Sequence, residues 1–386
     1  MTDVVIAGIG QTPVGEHWET SLRSLAIQAM QAAIEDSGGL RPQALFVGNM
    51  LAPGLSRQAH LGALLADFAG MTGVEAAAVE ASGASGGAAL RQGFIAIASG
   101  LVEAALVVGV EKFTDLIGAD VEAALATGAD SDYETVQGLT PTSQAALLTR
   151  RYLHEFKVPA DGLAGFALND HANGAGNPNA MYRKAIQLET YRKAEMVSEP
   201  LNMFDIAPNA DGAAAVLLTR GELLPKKFPH PRIRIGASSA ASDTLALHDR
   251  ADLLWFAAAQ LSTEQAFKKA GITREQVGLF EYHDAFTIYA ALSLEAAGFA
   301  PRGSGWKLAQ DGAISLKGKI PCGTMGGLKA RGNPGGATGV YQAVEAATQL
   351  RGQAGANQIA GAKYALLQSL GGPAATAVTH ILERLD

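Results

Sequence analysis

A predicted buried strand and a predicted helix meet in the stretch Val79-Glu80-Ala81-Ser82-Gly83-Ala84-Ser85-Gly86-Gly87-Ala88-Ala89-Leu90, with only a turn of small residues between them. An apolar run forms the strand, and Leu90, Phe94 and Ile97 recur on one face of the helix. Free N–H groups and the macrodipole at a helix N-terminus favour negative charge, and glycines let a ligand approach the backbone. The turn therefore predicts a reactive or anion-binding site of an α/β enzyme, although a plain strand-to-helix turn fits it equally well.

Composition excludes several classes of function. The 386 residues are 48% hydrophobic and 17% charged, which is typical of a globular protein with a large core. A net charge of −7 without a basic block argues against nucleic acid as a partner, and no apolar run has the length of a membrane span. The start, Met1-Thr2-Asp3, lacks the basic region of a signal peptide, and the single cysteine, Cys322, cannot form an internal disulfide. We therefore expect a cytoplasmic protein that binds neither nucleic acid nor membrane.

The order of predicted elements suggests two similar halves. Strands alternate with helices in each half, which indicates a mainly parallel sheet covered on both faces. We predict a first half at residues 1–225 and a second half at 230–386, joined by a proline-rich linker. Polar helices at about 114–200 interrupt the first half as an excursion from the sheet. Each half has one glycine-rich turn that opens a helix, and the duplication is inferred from this order of elements alone.

The turn also fits a serine hydrolase motif. Residues 83–87 match G-x-S-x-G, the nucleophile elbow of α/β-hydrolases, with Ser85 as the nucleophile. A chain with 45 glycines matches such a short pattern easily. A serine hydrolase is therefore the weakest of the functional hypotheses.

A longer set of motifs resembles one enzyme family, nearly from end to end of the chain. The motifs, besides residues 79–90, are Val108-Gly109-Val110-Glu111-Lys112, Asn177-Pro178-Asn179-Ala180, residues 205–215, His283-Asp284-Ala285-Phe286, Gly326-Gly327-Leu328-Lys329-Ala330 and residues 332–339. They resemble the thiolase superfamily, especially its SCP2-type and archaeal-type branch. The resemblance implies an α/β thiolase fold: two similar βαβαβαββ halves in five layers (αβαβα), with the excursion as a loop domain over the CoA site. It also implies acyl-CoA substrates, CoA not held covalently, a homodimer or homotetramer, and in some members a zinc-ribbon/OB-fold partner protein.

The departures from the family pattern fall on catalytic positions. Gly83 stands where the family has its nucleophilic cysteine, and Asn333 stands where the G-H-P motif has its histidine. Gly323 replaces an asparagine, and Ser369 stands where classical thiolases have a second cysteine. Loss of a covalent nucleophile typically lowers kcat by ~10⁶, about 8 kcal/mol of barrier. The resemblance therefore implies a family member without an acyl-cysteine intermediate, with Cys322 as a remote substitute nucleophile.

The remaining groups predict a site that donates hydrogen bonds. His283 is retained, and together with Asn333, the Gly83 position and Ser369 it forms the predicted catalytic set. Free N–H groups near Gly83 and Ala84 complete a predicted oxyanion hole, which stabilises an enolate on a thioester. The resemblance implies CoA contacts at Ser238, Ser239, Gly326 and Gly327. No cluster of His, Cys, Asp and Glu has the spacing of metal ligands.

Three functions follow as hypotheses. The first is an acyl-CoA enzyme of lipid metabolism, related to acetyl-CoA acyltransferases, that acts without an acyl-enzyme; aldol or retro-aldol cleavage of a 3-hydroxyacyl-CoA needs only an enolate and a proton shuttle. The second is a non-catalytic thiolase-like subunit that scaffolds a partner enzyme or the zinc-ribbon protein. The third is the hydrolase that uses Ser85. Whether the protein is catalytically active is left open by the sequence.

Overall fold

The first half of the chain alternates strands with helices. A computed structural model describes residues 3–386 of the protein. The strands are β1 (Val4–Gln11), β2 (Ala44–Gly48), β3 (Glu75–Val79) and β4 (Ala104–Glu111). The helices are α1 (Leu22–Asp36), α2 (Ala52–Leu55), α3 (Leu61–Phe68) and α4 (Ser85–Ala98). Strand β3, the following turn and α4 thus form the strand–turn–helix unit that the sequence predicts.

An excursion follows β4 before the chain returns to the sheet. It contains α5 (Ala119–Ala126), α6 (Pro141–Glu155), α7 (Ala164–Gly174), α8 (Leu188–Arg192) and a hairpin of β5 (Met196–Ser198) and β6 (Leu201–Asn202). Thr140 and Ser143 form a capping box at the start of α6, where Pro141 occupies the first turn and fixes its φ angle. Strand β7 (Gly212–Arg220) then closes the first half.

The second half repeats the layout. It contains β8 (Ile233–Ser242), α9 (Ala257–Ala270), β9 (Val277–Glu281), α10 (Thr287–Ala296), α11 (Gly305–Gln310), α12 (Gly327–Arg331), α13 (Thr338–Arg351), β10 (Tyr364–Gly371) and β11 (Thr376–Arg384). Three-residue 3₁₀ turns occur at Thr135–Gln137, Met203–Asp205, Gly221–Leu223, Leu247–Asp249, Arg274–Gln276, Gly335–Ala337 and Gly355–Asn357.

The order of the strands shows the duplication directly. The strands lie in the order β3-β2-β4-β7-β1-β8-β11-β10-β9. The first strand of each half, β1 or β8, lies at the centre, where the two strands pair with each other. In each half the closing strand, β7 or β11, is antiparallel to both of its neighbours. The sheet is therefore mixed, and the parallel sheet that the alternation of strands and helices predicts is wrong in this respect. The third strand of the second half is reduced to a bridge between Phe280 and Cys322. Both halves are therefore βαβαβαββ units, as the family resemblance implies.

Two helices form the central layer between the two halves of the sheet. Helix α4 packs against α13, and each contacts strands of both halves; α1 and α3 cover one outer face, and α9 covers the other. The two glycine-rich turns meet at the centre. A Cβ atom added to Gly86 would lie 2.8 Å from Gly336 O and 2.9 Å from Val340 N. Glycine is required here because only a bare backbone fits between the helices. With two helices between the halves of the sheet and helices on both outer faces, the molecule has the five layers of the thiolase fold.

Strand β3 is an exception to the burial that the sequence predicts. Its apolar run predicts a buried strand, but β3 is the edge strand of the sheet, and Glu75, Ala77 and Ala78 are exposed in the single chain. Strand β4, by contrast, is buried along its whole length. Within residues 3–386, no helix is long and apolar enough to cross a bilayer.

Candidate active site

A cavity opens where the two halves and the excursion meet. It has about 790 Å³ of empty space, part of which is open to solvent, and is lined by Met50, Ser82, Gly83, Glu122, Leu125, Gly128, Ala129, Pro141, Thr142, Gln144, Ile206, Ala207, Asn209, His283, Ala285, Phe286, Tyr289, Asn333, Leu370 and Gly372. The walls are mainly apolar, and few polar side chains converge on them, which is typical of a small-molecule site. Three of the four predicted catalytic positions, Gly83, His283 and Asn333, therefore share one cavity.

The turn at Gly83 leaves no space for a side chain. A Cβ atom added to Gly83 would lie 2.7 Å from Leu370 O, 2.9 Å from His283 Cε1 and 3.3 Å from His283 Nε2. Contacts below 3.0 Å require the backbone of β10 or the histidine ring to move. The edge of the imidazole thus occupies the place where a nucleophile at position 83 would begin.

The N–H group of Ala84, which the sequence predicts to be free, is bonded within the turn. The Ala84 N–H donates to Ala81 O at 3.0 Å, and the Ser85 N–H donates to Ser82 O at 3.0 Å. The prediction of a free Ala84 N–H is therefore wrong, since the turn closes on itself. The Gly83 N–H makes no hydrogen bond to another residue within 3–386. It is the turn's remaining candidate donor to a ligand oxygen.

His283 is a neutral, buried histidine. It follows β9 directly, is 4% exposed, and its Nδ1 has no hydrogen-bond partner among the residues that the structure describes. Burial lowers the pKa of His283 to about 4, because the imidazolium would lose its hydration. At neutral pH the ring therefore carries one N–H donor and one basic nitrogen. Its Cε1–Nε2 edge lies closest to Gly83.

Asn333 is fixed by its backbone and by one side-chain contact. Its N–H donates to Pro208 O at 2.9 Å, and its carbonyl accepts from the Ala210 N–H at 3.1 Å. Thr338 Oγ1 donates to Asn333 Oδ1 at 3.3 Å. With Oδ1 occupied, the amide nitrogen is the group that Asn333 can present to a ligand.

Glu111 joins two segments that form the wall of the cavity. Its buried carboxylate accepts hydrogen bonds from Asn49 Nδ2, from the N–H groups of Met50 and Leu51, and from the Gly336 N–H, at 2.8 to 3.1 Å. Burial raises the pKa of Glu111 to about 7, although these bonds favour the ionised form. The carboxylate thus holds Met50 and the turn that follows Asn333 together.

A buried ionic cluster lies behind His283. Lys329 Nζ donates to Asp284 O at 2.5 Å and lies 3.1 Å from Asp284 Oδ2 and 3.9 Å from Asp170 Oδ2; all three side chains are at most 1% exposed. Burial and the charge of Asp284 raise the pKa of Asp170 well above its usual range. Burial opposes ionisation of Asp284 too, but Lys329 and other donors hold its pKa below the usual value. The cluster fixes the backbone beside His283.

Comparison with known proteins identifies the family of the chain. A family model described as "Thiolase, N-terminal domain" matches residues 4–222, and one described as "Thiolase C-terminal domain-like" matches residues 239–384. The chain belongs to the thiolase family. The acetyl-CoA acetyltransferase of Methanothermobacter thermautotrophicus is 40% identical over 386 residues, which cover 100% of both chains. The benzoylsuccinyl-CoA thiolase subunit BbsB of Thauera aromatica is 31% identical, and the match covers 92% of this chain and 91% of that one.

A solved structure supports the thiolase fold. The Ltp2-ChsH2(DUF35) aldolase superposes with a TM-score of 0.86 over 99% of this chain and 98% of that chain. The two sequences are 24% identical, so this likeness is evidence for the fold alone.

The fourth predicted catalytic residue of this thiolase lies outside the cavity. Ser369 is on β10 and is 1% exposed, and its Oγ donates to Gln342 Oε1 at 2.8 Å. It packs against the central helices, because a Cβ atom on Gly87 would lie 2.8 Å from this hydroxyl. Leu370 and Gly372, rather than Ser369, line the cavity.

The residues predicted to contact CoA also lie outside the cavity. Ser238 and Ser239 are buried on β8, where Arg91 and Lys269 donate to them. Gly327 packs against the ionic cluster, where a Cβ atom would lie 2.7 Å from Asp284 Oδ2, and a Cβ atom on Gly326 would lie 2.9 Å from Gly174 Cα of α7. These glycines are explained by close packing, and their predicted contact with CoA has no support from this geometry.

The other nucleophiles considered from the sequence are not activated. Ser85 is fully buried; its Oγ donates to Ser82 O at 2.6 Å and accepts from the Ala81 N–H at 2.9 Å, so the hydroxyl closes the turn before α4. Cys322 is fully buried, and burial raises the pKa of its thiol well above the usual value.

Ser82, the residue before Gly83, is a further hydroxyl in the cavity. It lines the cavity with φ +51°, in the left-handed region, and its Oγ contacts Met50 Sδ at 3.8 Å. No base within residues 3–386 lies within hydrogen-bond distance of that hydroxyl. An unactivated serine hydroxyl is a weak nucleophile at neutral pH.

Sequence reasoning missed two residues of the site, Met50 and Glu122. Met50 enters the wall through Glu111, and Glu122 reaches the cavity from α5 of the excursion. Neither belongs to a motif, so the sequence carries no local signal for them. Among residues 3–386, no group of three or more His, Cys, Asp or Glu side chains is placed to hold a metal ion.

Proposed function

We propose that this member of the thiolase family binds an acyl-CoA and catalyses aldol-type cleavage or formation of its Cα–Cβ bond without an acyl-enzyme. One observation carries the proposal. The position of the family nucleophile is a glycine whose missing Cβ is blocked by Leu370 O and by the ring of His283. The same cavity offers hydrogen-bond donors and a neutral imidazole. Such a site can stabilise charge on a thioester oxygen but has no group that attacks the thioester carbon.

The proposed reaction uses these donors on a 3-hydroxyacyl-CoA. A base takes the proton of the β-hydroxyl group, the Cα–Cβ bond breaks, and its electron pair forms the thioester enolate. The amide of Asn333 and an N–H of His283 donate to the enolate oxygen, and protonation at Cα completes the step. The products are an aldehyde or ketone and a shorter acyl-CoA, so atoms and charge balance without a co-reactant.

The comparisons support CoA as part of the substrate. The archaeal relative at 40% identity is named an acetyl-CoA acetyltransferase, and the Thauera relative is named a thiolase of benzoylsuccinyl-CoA. Acyl transfer by this chain is disfavoured by Gly83, whereas binding of a thioester is compatible with a cavity of about 790 Å³. The solved structure that shares this fold is named an aldolase, which supports the proposal of C–C bond chemistry.

Retro-aldol activity is the direct test. We expect the protein to release aldehyde from at least one member of a panel of 3-hydroxyacyl-CoAs (3-hydroxybutyryl, 3-hydroxyhexanoyl and 3-hydroxy-3-phenylpropanoyl thioesters), measured with an aldehyde-trapping assay. His283→Gln should lower kcat by about 10²- to 10⁴-fold, the usual contribution of a positioned acid–base or donor group. His380→Gln is the matched control, since His380 is equally buried, with its pKa also lowered to about 4, but lies outside the cavity. No turnover with any thioester, or equal loss in both variants, would contradict the proposal.

A non-catalytic subunit is the second candidate. It is favoured by one observation: the hydroxyl of Ser369, at the second family cysteine position, is bound to Gln342 and does not reach the cavity. In this case the chain binds a partner of the zinc-ribbon/OB-fold type and is inactive alone. Co-purification from the native host distinguishes the two candidates, because a homo-oligomer with turnover excludes the scaffold.

The exposed edge of β3 predicts self-association, the homodimer or homotetramer that the sequence suggests. Glu75 N–H donates to Gln43 O and Val79 O accepts from the Asn49 N–H, so alternate residues face β2 and Ala78 directs its backbone groups outward. An unpaired edge is a template for another strand. We expect Ala78→Pro, which removes that N–H, to convert a dimer into monomers in analytical ultracentrifugation.

Ala78→Ser is the control for this variant, because it keeps the backbone N–H and changes only an exposed side chain. It should sediment as the wild type does. A dimer that survives Ala78→Pro would place the interface elsewhere.

A further inference from the structure

Glu122 carries a carboxylate that borders two cavities. It lies in the first turn of α5 and lines the cavity that contains Gly83, His283 and Asn333. It also borders the adjoining cavity of about 960 Å³, which is lined mainly by apolar residues of the excursion. Its side chain thus lies at the junction of the two spaces that a bound acyl group can occupy.

The Glu122 carboxylate is unpaired. Within residues 3–386 it accepts no side-chain or backbone hydrogen bond and forms no ion pair, although it is partly buried. Two other buried carboxylates near the site are held by donors: Glu111 by three backbone N–H groups, and Asp284 by Lys329 and the Leu328 N–H. A partly buried, unpaired carboxylate in a cleft is a recurrent feature of functional sites.

We propose that Glu122 is the general base of the aldol-type reaction, and that it moves the proton between the β-hydroxyl oxygen and Cα of the substrate. This inference rests on the proposed function. The carboxylate takes the hydroxyl proton as the Cα–Cβ bond breaks, and the carboxylic acid so formed returns the proton to Cα of the enolate. Asn333 and His283 stabilise the enolate oxygen meanwhile, and Glu122 ends the cycle ionised.

The different burial of His283 and Glu122 explains why Glu122 is the base and His283 is the donor. His283 is buried, and the low pKa of its ring makes it a weak base. Burial raises the pKa of Glu122 from its usual value, which strengthens it as a base toward the hydroxyl proton. Other titratable side chains face this region: His283 and Tyr289 in the cavity, His171, Tyr182 and Lys329 in the adjoining one, and Glu16 at a surface pocket.

Asp120 provides a matched control on the same helix. Both acidic residues lie in the first turn of α5, so both interact favourably with the helix dipole. Asp120, however, is exposed and does not line the cavity. If Glu122 serves only the helix, Asp120→Asn and Glu122→Gln should behave alike.

The test compares both variants on the thioester panel. We expect Glu122→Gln to lower kcat at least 100-fold with KM within about threefold of the wild type, and to abolish the fall of kcat/KM on the acidic side of the pH profile. Asp120→Asn should match the wild type in all three quantities. Glu122→Asp should recover part of kcat.

The outcomes separate this inference from the proposed function. A wild type that releases no aldehyde from any thioester overturns the proposed function and the role of Glu122 with it. A wild type that is active while Glu122→Gln keeps its kcat and its acidic limb overturns the role of Glu122 alone. Equal losses in both variants show that Glu122 acts through α5, which also overturns it.

Discussion

Purified protein incubated with acetyl-CoA is expected to remain unmodified, and its rate of acetoacetyl-CoA thiolysis should lie about 10⁶-fold below that of a cysteine-dependent thiolase. The reason is structural. A covalent mechanism needs a nucleophile beside a base or at a helix N-terminus that lowers its pKa. Gly83 has no side chain, and the single thiol, Cys322, is buried on the far side of β9 with a raised pKa.

Intact-mass spectrometry measures this result. The spectrum of the treated protein should superpose on that of untreated protein, and Cys322→Ser serves as the control because it removes the only thiol. A stoichiometric acetyl adduct in the wild type would contradict the expectation. Peptide mapping of such an adduct would then identify the nucleophile that the geometry does not supply.

Restoring the family residue should not restore the chemistry. Gly83→Cys places a Cβ 2.7 Å from Leu370 O and 2.9 Å from His283 Cε1. Overpacking of this kind costs about 1–3 kcal/mol, and here it displaces the imidazole that a thiolate would need beside it. Asn333 in addition cannot act as a base near neutral pH.

The order of the elements along the chain was predictable from the sequence because it depends on local patterns. The strand at 75–79, its glycine-rich turn and the following helix are encoded by adjacent residues, and so is the second glycine-rich turn after Asn333. The long motifs around His283 and Lys329 then identified the family. Both lines of reasoning use residues close together in the chain, where spacing determines structure.

The details of the site were less predictable, because they depend on contacts between distant segments. Glu111 reaches Met50 and Gly336, 61 and 225 residues away, and Glu122 belongs to a part of the excursion that carries no motif. Ser369 matches a catalytic position of the family, but the direction of its side chain on β10 depends on Gly87 of the central helix. The position of a residue in a motif therefore does not predict on which face of a strand its side chain lies, or whether it lines the cavity.

The largest stability effect is expected at the ionic cluster behind His283. Replacing Lys329 with methionine leaves Asp284 and Asp170 buried without a cation. Breaking a buried ion pair from one side typically costs about 3–5 kcal/mol, because the remaining charge has lost both water and its partner. We expect a loss of that size in the free energy of unfolding, measured by urea denaturation.

The pH dependence of this loss has a definite sign. In the wild type Lys329 keeps the pKa of Asp284 low, so its contribution to stability is present above the unfolded pKa and is lost on acidification. In Lys329→Met, burial without the cation raises that pKa above the unfolded value. The variant therefore loses stability as pH rises through the raised pKa, and the gap to the wild type should widen from about pH 5 to about pH 8.

Two further variants make the result specific to the buried charge. Lys193→Met is the control, because Lys193 is 75% exposed in an ion pair with Glu189 on α8, and its loss should stay within about 0.5 kcal/mol. Adding Asp284→Asn to Lys329→Met removes the unpaired charge and should recover much of the stability and most of its pH dependence. Lys329→Met with wild-type stability at both pH values would show that water reaches the cluster, and His283 would then lie in a far more polar setting than its burial indicates.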